Sequence, residues 1–201
     1  MTVPEIAPDL MPDLILASAS PRRLELLARL GVSPARVIAT DIDESPLARE
    51  IPRAHAVRLA AEKARAAQSR NSGAVVLAGD TVVGLGRRIL PKAEDEATAR
   101  HCLTLLSGRR HRVFSAIAVI DAAGTLREAL SETIVRFKAL TEQEIAAYLA
   151  SGEWHGKAGG YAIQGSAEGF CAWLAGSHSG VVGLPLYETR RLLRAAGLRI
   201  A

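Results

Sequence analysis

Two alternating apolar stretches, residues 112–120 and 126–137, stand on either side of the short break Asp121-Ala-Ala-Gly124. Alternation puts successive side chains on opposite faces, and so short a break joins only antiparallel neighbours, so the pair reads as one long antiparallel ribbon. What precedes it has a different rhythm. Residues 14–17 form an apolar run, followed at once by Ser18-Ala-Ser-Pro-Arg-Arg23 and a periodic stretch through Leu24, Leu27 and Leu30 that stops at Gly31. Ser20 as cap, Pro21 as first helical residue and Gly31 as terminator predict strand, turn, helix. Further strands are expected at 36–40, 74–78 and 170–174, and a hairpin over 82–90 around Gly84-Leu-Gly86. Helices are expected at 52–70, 94–106, from the capping box Thr141-Glu-Gln-Glu144 to about 150, and at 185–197. In the helix at 52–70, Val57, Ala60, Ala61, Ala64 and Gln68 form one stripe, with Glu62 and Lys63 off it. A ribbon joined to alternating helices and strands implies a mixed twisted sheet wrapped by helices, an α/β fold.

Composition narrows the function. With 201 residues, 49% of them hydrophobic, the chain can bury a sizeable core, and the absence of repeats or linkers predicts one domain over 1–201. Lys and Arg exceed Asp and Glu by 25 to 21, a modest +4 that suits a small anionic ligand as well as a polynucleotide. Aromatic residues make up only 4%, which leaves few stacking platforms, so nucleic acid ranks low as a partner. No apolar run approaches the length needed to cross a bilayer, and Glu5 and Asp9 with no nearby Lys or Arg are unlike a signal peptide, so a cytoplasmic protein is expected. Cys102 and Cys171 belong to no C-x-x-C pattern, and the histidines form no H-x-x-x-H pair, so neither a disulfide framework nor a zinc site is indicated. Gly152-Glu-Trp-His-Gly-Lys157 lacks the spacing and the Ser or Thr of a P-loop, and Gly176-Ser-His-Ser-Gly180 has His where a nucleophile elbow needs Ser.

Three turns rich in functional groups, 18–23, 41–44 and 79–81, each follow an expected strand, at the end where α/β folds bind ligands. Ser18, Arg22 and Arg23 at a helix start combine a hydroxyl, unpaired N–H groups and planar guanidinium forks suited to phosphate oxygens. Asp80, where the apolar strand 74–78 stops, can cap a turn, bind a hard cation or act as a general base. Asp41, Asp43 and Glu44 supply further oxygen ligands, and Mg²⁺ needs only one or two carboxylates beside water and phosphate. Lys63 and Lys92 read as solvated residues until something places them. Gln164, between Ile163 and Gly165, offers paired donors and acceptors that can read a base edge.

The ordered set of motifs resembles the Maf family of septum-formation-type nucleoside triphosphate pyrophosphatases. The matching pieces are Leu-Ala-Ser-Ala-Ser-Pro-Arg-Arg at 16–23, Asp-Ile-Asp-Glu at 41–44, Ala-Glu-Lys-Ala-Arg-Ala at 61–66, Gly-Asp-Thr at 79–81, Leu-Ser-Gly-Arg at 106–109, Lys-Ala-Gly-Gly-Tyr-Ala-Ile-Gln-Gly at 157–165 and Val-Val-Gly-Leu-Pro-Leu at 181–186. The resemblance implies a two-lobed Maf/ITPase-like fold with a central cleft, and hydrolysis of a nucleoside triphosphate to the monophosphate and pyrophosphate. It implies Asp80 as the catalytic carboxylate, with Asp80, Glu44 and Asp43 near a divalent cation, Mg²⁺ by availability with Mn²⁺ or Co²⁺ as alternatives. Ser18, Arg23, Lys63 and Lys92 would hold the triphosphate. Arg22, Thr81 and Gln164 match the branch acting on dTTP and UTP rather than on methylated GTP. A house-cleaning pyrophosphatase for modified nucleotides, or a nucleotide-binding regulator of septation, are the alternatives, and the ribbon's free edge suggests a homodimer. The chain departs from the family pattern at Pro91-Lys92-Ala93, Gly156 and Gly180.

Overall fold

The computed structural model describes residues 12–200. Its strands are β1 (Leu14–Ala17), β2 (Arg36–Val37), β3 (Val75–Leu85), β4 (Arg88–Leu90), β5 (Lys92–Ala93), β6 (Arg110–Ile120), β7 (Leu126–Phe137), β8 (Lys157–Ala158) and β9 (Cys171–Ala175). The helices are α1 (Pro21–Ala28), α2 (Pro52–Gln68), α3 (Glu96–Leu106), α4 (Glu142–Ser151), α5 (His178–Val182) and α6 (Leu186–Ala195). A mixed sheet runs β2-β1-β3-β6-β7-β9, with β4 paired to β3, and β5 and β8 form a separate two-stranded ladder. The α/β reading and the ribbon therefore hold, with Arg110 opposite Arg136 and Ile120 opposite Leu126.

Period-two alternation explains how one sheet carries two apolar layers. Leu14, Leu16, Val75, Leu77, Ile117 and Val119 face α1 and α6, meeting Leu26, Leu27, Leu192 and Leu193. The intervening Ile15, Ala17, Val76, Ala78, Ala116 and Ala118 face α2. There Ala56, Ala60, Ala64 and Ala67 present only methyl groups, which lets the helix lie close to the strands. A third cluster joins the far ends of β3, β6 and β7 to α3 and α4 through Val83, Val113, Phe137, Leu103 and Tyr148. Cys102 is buried within it and Cys171 is half-buried, both as free thiols.

Several expectations at single elements need correction. The strand expected to stop at residue 78 runs on through Asp80 to Leu85, because β6 pairs with it without interruption from Val76 to Gly84. Asp80 thus projects from mid-strand rather than from a turn. β2 is limited to Arg36–Val37, since its partner β1 ends at Ala17. α5 and the β5–β8 ladder have no counterpart in the expected elements. The ribbon's outer edge is covered by β9 only over Ile134–Phe137.

One feature of the topology positions the site. On the edge of β3 away from β6, β1 pairs in parallel with Val75–Ala78, and β4 pairs antiparallel with Val83–Leu85. Gly79 to Val82 lie in the gap between these two neighbours. The sheet splits there, and Asp80 and Thr81 sit at the split.

Candidate active site

Asp80 is 4% exposed. Its Oδ1 accepts a hydrogen bond from Lys63 Nζ at 2.7 Å, and the same ammonium lies 2.7 Å from Glu44 Oε1. Lys63, expected on a solvated face, is therefore buried at 6% exposure. Helix periodicity brings it inward beside Leu59, Ala60 and Ala64, and two carboxylates from distant segments compensate its charge. Lys92 Nζ closes the chain by pairing with Glu44 Oε2. Burial alone would raise the Glu44 carboxyl, yet the hydrogen bonds from Lys63 and Lys92 outweigh it and hold the group at about 2.

Arg23 approaches from α1. Its Nε donates to the Gly183 carbonyl at 2.8 Å, Nη1 to Ser18 Oγ at 3.1 Å and Nη2 to Thr81 Oγ1 at 3.4 Å. Arg22 Nε donates to the Val182 carbonyl at 3.3 Å. Both guanidinium groups are pulled below their ordinary value, first by burial; Asp80 opposes the shift for Arg23. Lys157 is pulled down as well, by burial and by the charge of Arg22. Five cationic side chains, Arg22, Arg23, Lys63, Lys92 and Lys157, line this cleft against the carboxylates Asp80 and Glu94, an excess that suits an anion. Ser20 starts α1 without a side-chain capping bond; Ser18 Oγ instead accepts from the Ser20 N–H at 3.2 Å.

These groups line three neighbouring spaces that share wall residues. A polar cavity of about 300 Å³ is bordered by Arg22, Arg23, Lys63, Asp80, Thr81, Lys92, Lys157 and Gln164. Ser18 and Glu44 join Arg23, Lys63 and Lys92 around a smaller one of about 130 Å³. A third, of about 270 Å³, is apolar, with Leu59, Val82, Ile89 and Leu90 in its wall, and shares Asp80, Thr81 and Lys92 with the first. Asp43 stands apart: its carboxylate accepts from the Ser45 N–H at 2.9 Å and lines none of these three spaces. The fold thus gathers Ser18, Arg22, Arg23, Glu44, Lys63, Asp80, Thr81, Lys92 and Gln164.

Two sets of participants escaped the sequence reading. Lys157 opens the family-like stretch 157–165 without an expected role, and it reaches the cleft because Ala93 pairs with it across the β5–β8 ladder. The segment that carries Glu44 is held by Arg58 of α2. Arg58 reaches Glu50 Oε1 at 2.7 Å and Oε2 at 2.9 Å, the Ser45 carbonyl at 3.0 Å and Glu62 at 3.0 Å. Glu50 also accepts from the Leu47 N–H and contacts His55 Nδ1 at 2.8 Å. Only the Arg58–Glu62 spacing was available as a local signal.

The donor set bears on a metal. Among the described residues no three His, Cys, Asp or Glu side chains cluster tightly enough to hold an ion by themselves. Glu44 and Asp80, both against one ammonium, are a two-carboxylate, all-oxygen set, which fits a hard cation completed by water and phosphate oxygens and does not fit structural zinc.

Known proteins resemble this chain over most of its length. A dTTP/UTP pyrophosphatase of Novosphingobium aromaticivorans is 82% identical over 189 residues, covering 94% of each chain. One from Rhodospirillum rubrum is 58% identical over 92% of this chain and 89% of its own. One from Caulobacter vibrioides is 58% identical over 94% and 97%. Among solved structures, a HAM1 protein from Coxiella burnetii matches at a TM-score of 0.46 and 19% identity over 63% of this chain and 73% of that one. The Maf-like protein family matches residues 13–196, and this chain belongs to it.

Proposed function

We propose that the protein is a nucleoside triphosphate pyrophosphatase, a hydrolase of acid anhydrides that converts dTTP and UTP to the monophosphate and pyrophosphate. The observation that carries the reading is the buried Lys63 ammonium, held between Asp80 and Glu44, on the wall of a cavity where Arg22, Arg23, Lys92 and Lys157 stand against one further carboxylate, Glu94. Close relatives bearing the dTTP/UTP pyrophosphatase name support the substrate class. Residues 1–201 act in this reading as one catalytic domain.

Phosphoryl chemistry asks a protein chiefly for positioning and charge. Arg23, Lys63 and Lys92, with Ser18, hold the triphosphate and neutralise the charge that builds on the departing pyrophosphate. Asp80 Oδ1 is engaged by Lys63, which orients the carboxylate so that its other oxygen can take a proton from the attacking water. Water oxygen bonds to the α-phosphorus, the α–β bridging bond breaks, and its electron pair leaves with pyrophosphate. Nucleoside triphosphate pyrophosphatases generally need a divalent metal; Mg²⁺ is proposed here, with Asp80 and Glu44 as the residues that would hold it, while Asp43, turned to the Ser45 N–H, is proposed only as a further acidic group on the same segment as Glu44. When bound it supplies charge neutralisation on the phosphate oxygens. Arg22, Thr81 and Gln164 face the nucleoside. A homodimer belongs to the same reading, since Leu126 to Thr133 of β7 have no strand partner on the outer side among the described residues. A cytoplasmic location is proposed with it; among the described residues no helix is long and apolar enough to cross a membrane.

The test is pyrophosphate release from dTTP, UTP, CTP, dATP, GTP and methylated GTP, with and without Mg²⁺, with Asp80→Asn as the blank. Metal-dependent release favouring dTTP and UTP is expected. Preference for a purine triphosphate overturns the substrate assignment, and tight triphosphate binding without release overturns the enzymatic one.

A further inference from the structure

We propose that Ser115 fixes the Thr81 hydroxyl as a hydrogen-bond acceptor, and that this polarity selects a base carrying a ring N–H, the edge of uracil or thymine, against cytosine. The inference rests on the nucleotide reading above and adds to it a residue and a physical reason for the choice of base.

Ser115 lies on β6 directly opposite Thr81 and is 1% exposed. Its Oγ is 2.5 Å from the Gly180 carbonyl and 3.2 Å from Thr81 Oγ1. A serine hydroxyl has one proton to give, and a carbonyl oxygen can only accept. The Ser115 proton is therefore committed to Gly180, and Ser115 can meet Thr81 only by accepting from it. Gly180 is itself held, because its N–H donates to the capping Ser177 Oγ at 3.0 Å. The single Thr81 proton is thus spent on Ser115. On its other side Thr81 accepts from Arg23 Nη2, and a guanidinium has no lone pair with which to reverse that bond. Whatever lone-pair capacity Thr81 has left is acceptor capacity alone.

Thr81 borders both the polar cavity, with Gln164, and the apolar one, with Leu59 and Ile89. Whichever of the two receives the base, Thr81 forms part of its wall. Uracil and thymine carry N3–H, a donor, whereas cytosine has a bare N3 lone pair at the same ring position. Cytosine would set one acceptor against another at that wall, and a polar group left without its match weakens binding. Gln164 cannot impose this choice by itself, since an amide offers both polarities and can turn over. Ser115 is a positioning residue, acting through Thr81.

The test is kcat/KM for UTP and CTP in the wild type, Ser115→Ala, Thr81→Val and the double variant. The UTP-to-CTP ratio is expected to fall about tenfold in Ser115→Ala, the factor for one lost polar match. In the Thr81→Val background the same substitution should change the ratio no further. A ratio unmoved by Ser115→Ala, or an equal fall in both backgrounds, overturns the inference and leaves the nucleotide reading standing. A wild type that hydrolyses neither nucleotide removes that reading and the inference with it. Should Ser115→Ala fail to fold by circular dichroism, the wild type is given N3-methyl-UTP, which lacks the proton. Turnover at least about tenfold below UTP is expected, and turnover equal to UTP overturns the inference.

Discussion

Lys63 donates to Asp80 at 2.7 Å across the face where α2 packs on β3, with side chains 7% and 5% exposed. Such a pair is a poor way to stabilise a fold: removing two charges from water offsets most of their attraction, and apolar replacements of buried pairs are often neutral or more stable by about 1–4 kcal/mol. Its presence at a split in the sheet, against a cavity, points to chemistry instead. Asp80→Asn keeps the shape and removes the proton acceptor. Pyrophosphate release from UTP should fall at least about a hundredfold with an unchanged circular dichroism spectrum. Retention of most of the turnover would take Asp80 out of the mechanism.

Arg58 is expected to act at a distance, by holding the segment that carries Glu44. Arg58→Ala should reduce kcat/KM about tenfold, the scale of losing a charged, bidentate hydrogen-bond set. Arg58→Lys keeps the charge without the fork and should recover only part of it. Full activity in Arg58→Ala would mean that Glu44 holds its place unaided.

The same clamp has a signature in acid. Hydrogen bonds from Arg58 hold the Glu50 carboxyl at about 2, against the opposing effect of burial and below the ordinary 4.5. A carboxyl depressed in the folded state contributes stability that is present above about pH 4.5 and is lost as pH falls toward 2. Glu50→Gln should flatten that part of the urea-unfolding profile. An unchanged slope would show the pair to be energetically silent.

His111 gives the opposite kind of titration. It is 2% exposed, bonded through Nε2 to the Tyr161 hydroxyl at 2.9 Å, and its Nδ1 has no partner among the described residues. Burial pushes it down to about 4, so the fold holds the ring neutral while the unfolded chain takes up a proton below about 6.5. Stability should therefore decline as pH falls from 6.5 to 4, by up to about 3 kcal/mol. His111→Phe, set among Phe137 and Tyr161, should level this stretch of the profile. A decline of equal size in the variant would assign it to other groups.

Gly159 tests how tightly the rim is built. It has φ +68°, and a Cβ there would lie 2.9 Å from Val83 Cγ1. Backbone strain and overpacking together predict a loss of about 1–3 kcal/mol for Gly159→Ala. Chemical denaturation with an unchanged midpoint would show that Val83 gives way.

What could be read from the chain before folding was whatever repeats locally. The period-two stretches became β6 and β7, and Thr141 with Glu144 closed the capping box that opens α4. What could not be read depends on partners far away in sequence. Lys63 looks like a solvated helix residue because periodicity treats charge as outward, and only Asp80 and Glu44 make its burial tolerable. Gly79-Asp80-Thr81 resembles a strand end, and the unbroken pairing with β6 overrides that composition. The gathering of the cleft residues rests in part on motifs recognised together, since no local rule brings residue 164 to residue 22. The Glu50–Arg58 pair could not be read for a different reason: Glu50 stands just ahead of α2, outside the helical spacing that relates Arg58 to Glu62.

Arg22 and Arg23 are made 160 residues before the carbonyls they hold, at Val182 and Gly183. Until those residues are made, Arg22 lacks its carbonyl and Arg23 has only Ser18 and Thr81 to hold it. A chain cut short before residue 182 would carry Asp80, Lys63 and Lys92 and still lack one wall of the cleft. The pocket is thus closed only once residues 182 and 183 have been made, and a nascent fragment that stops short of them lacks the carbonyls that hold both arginines.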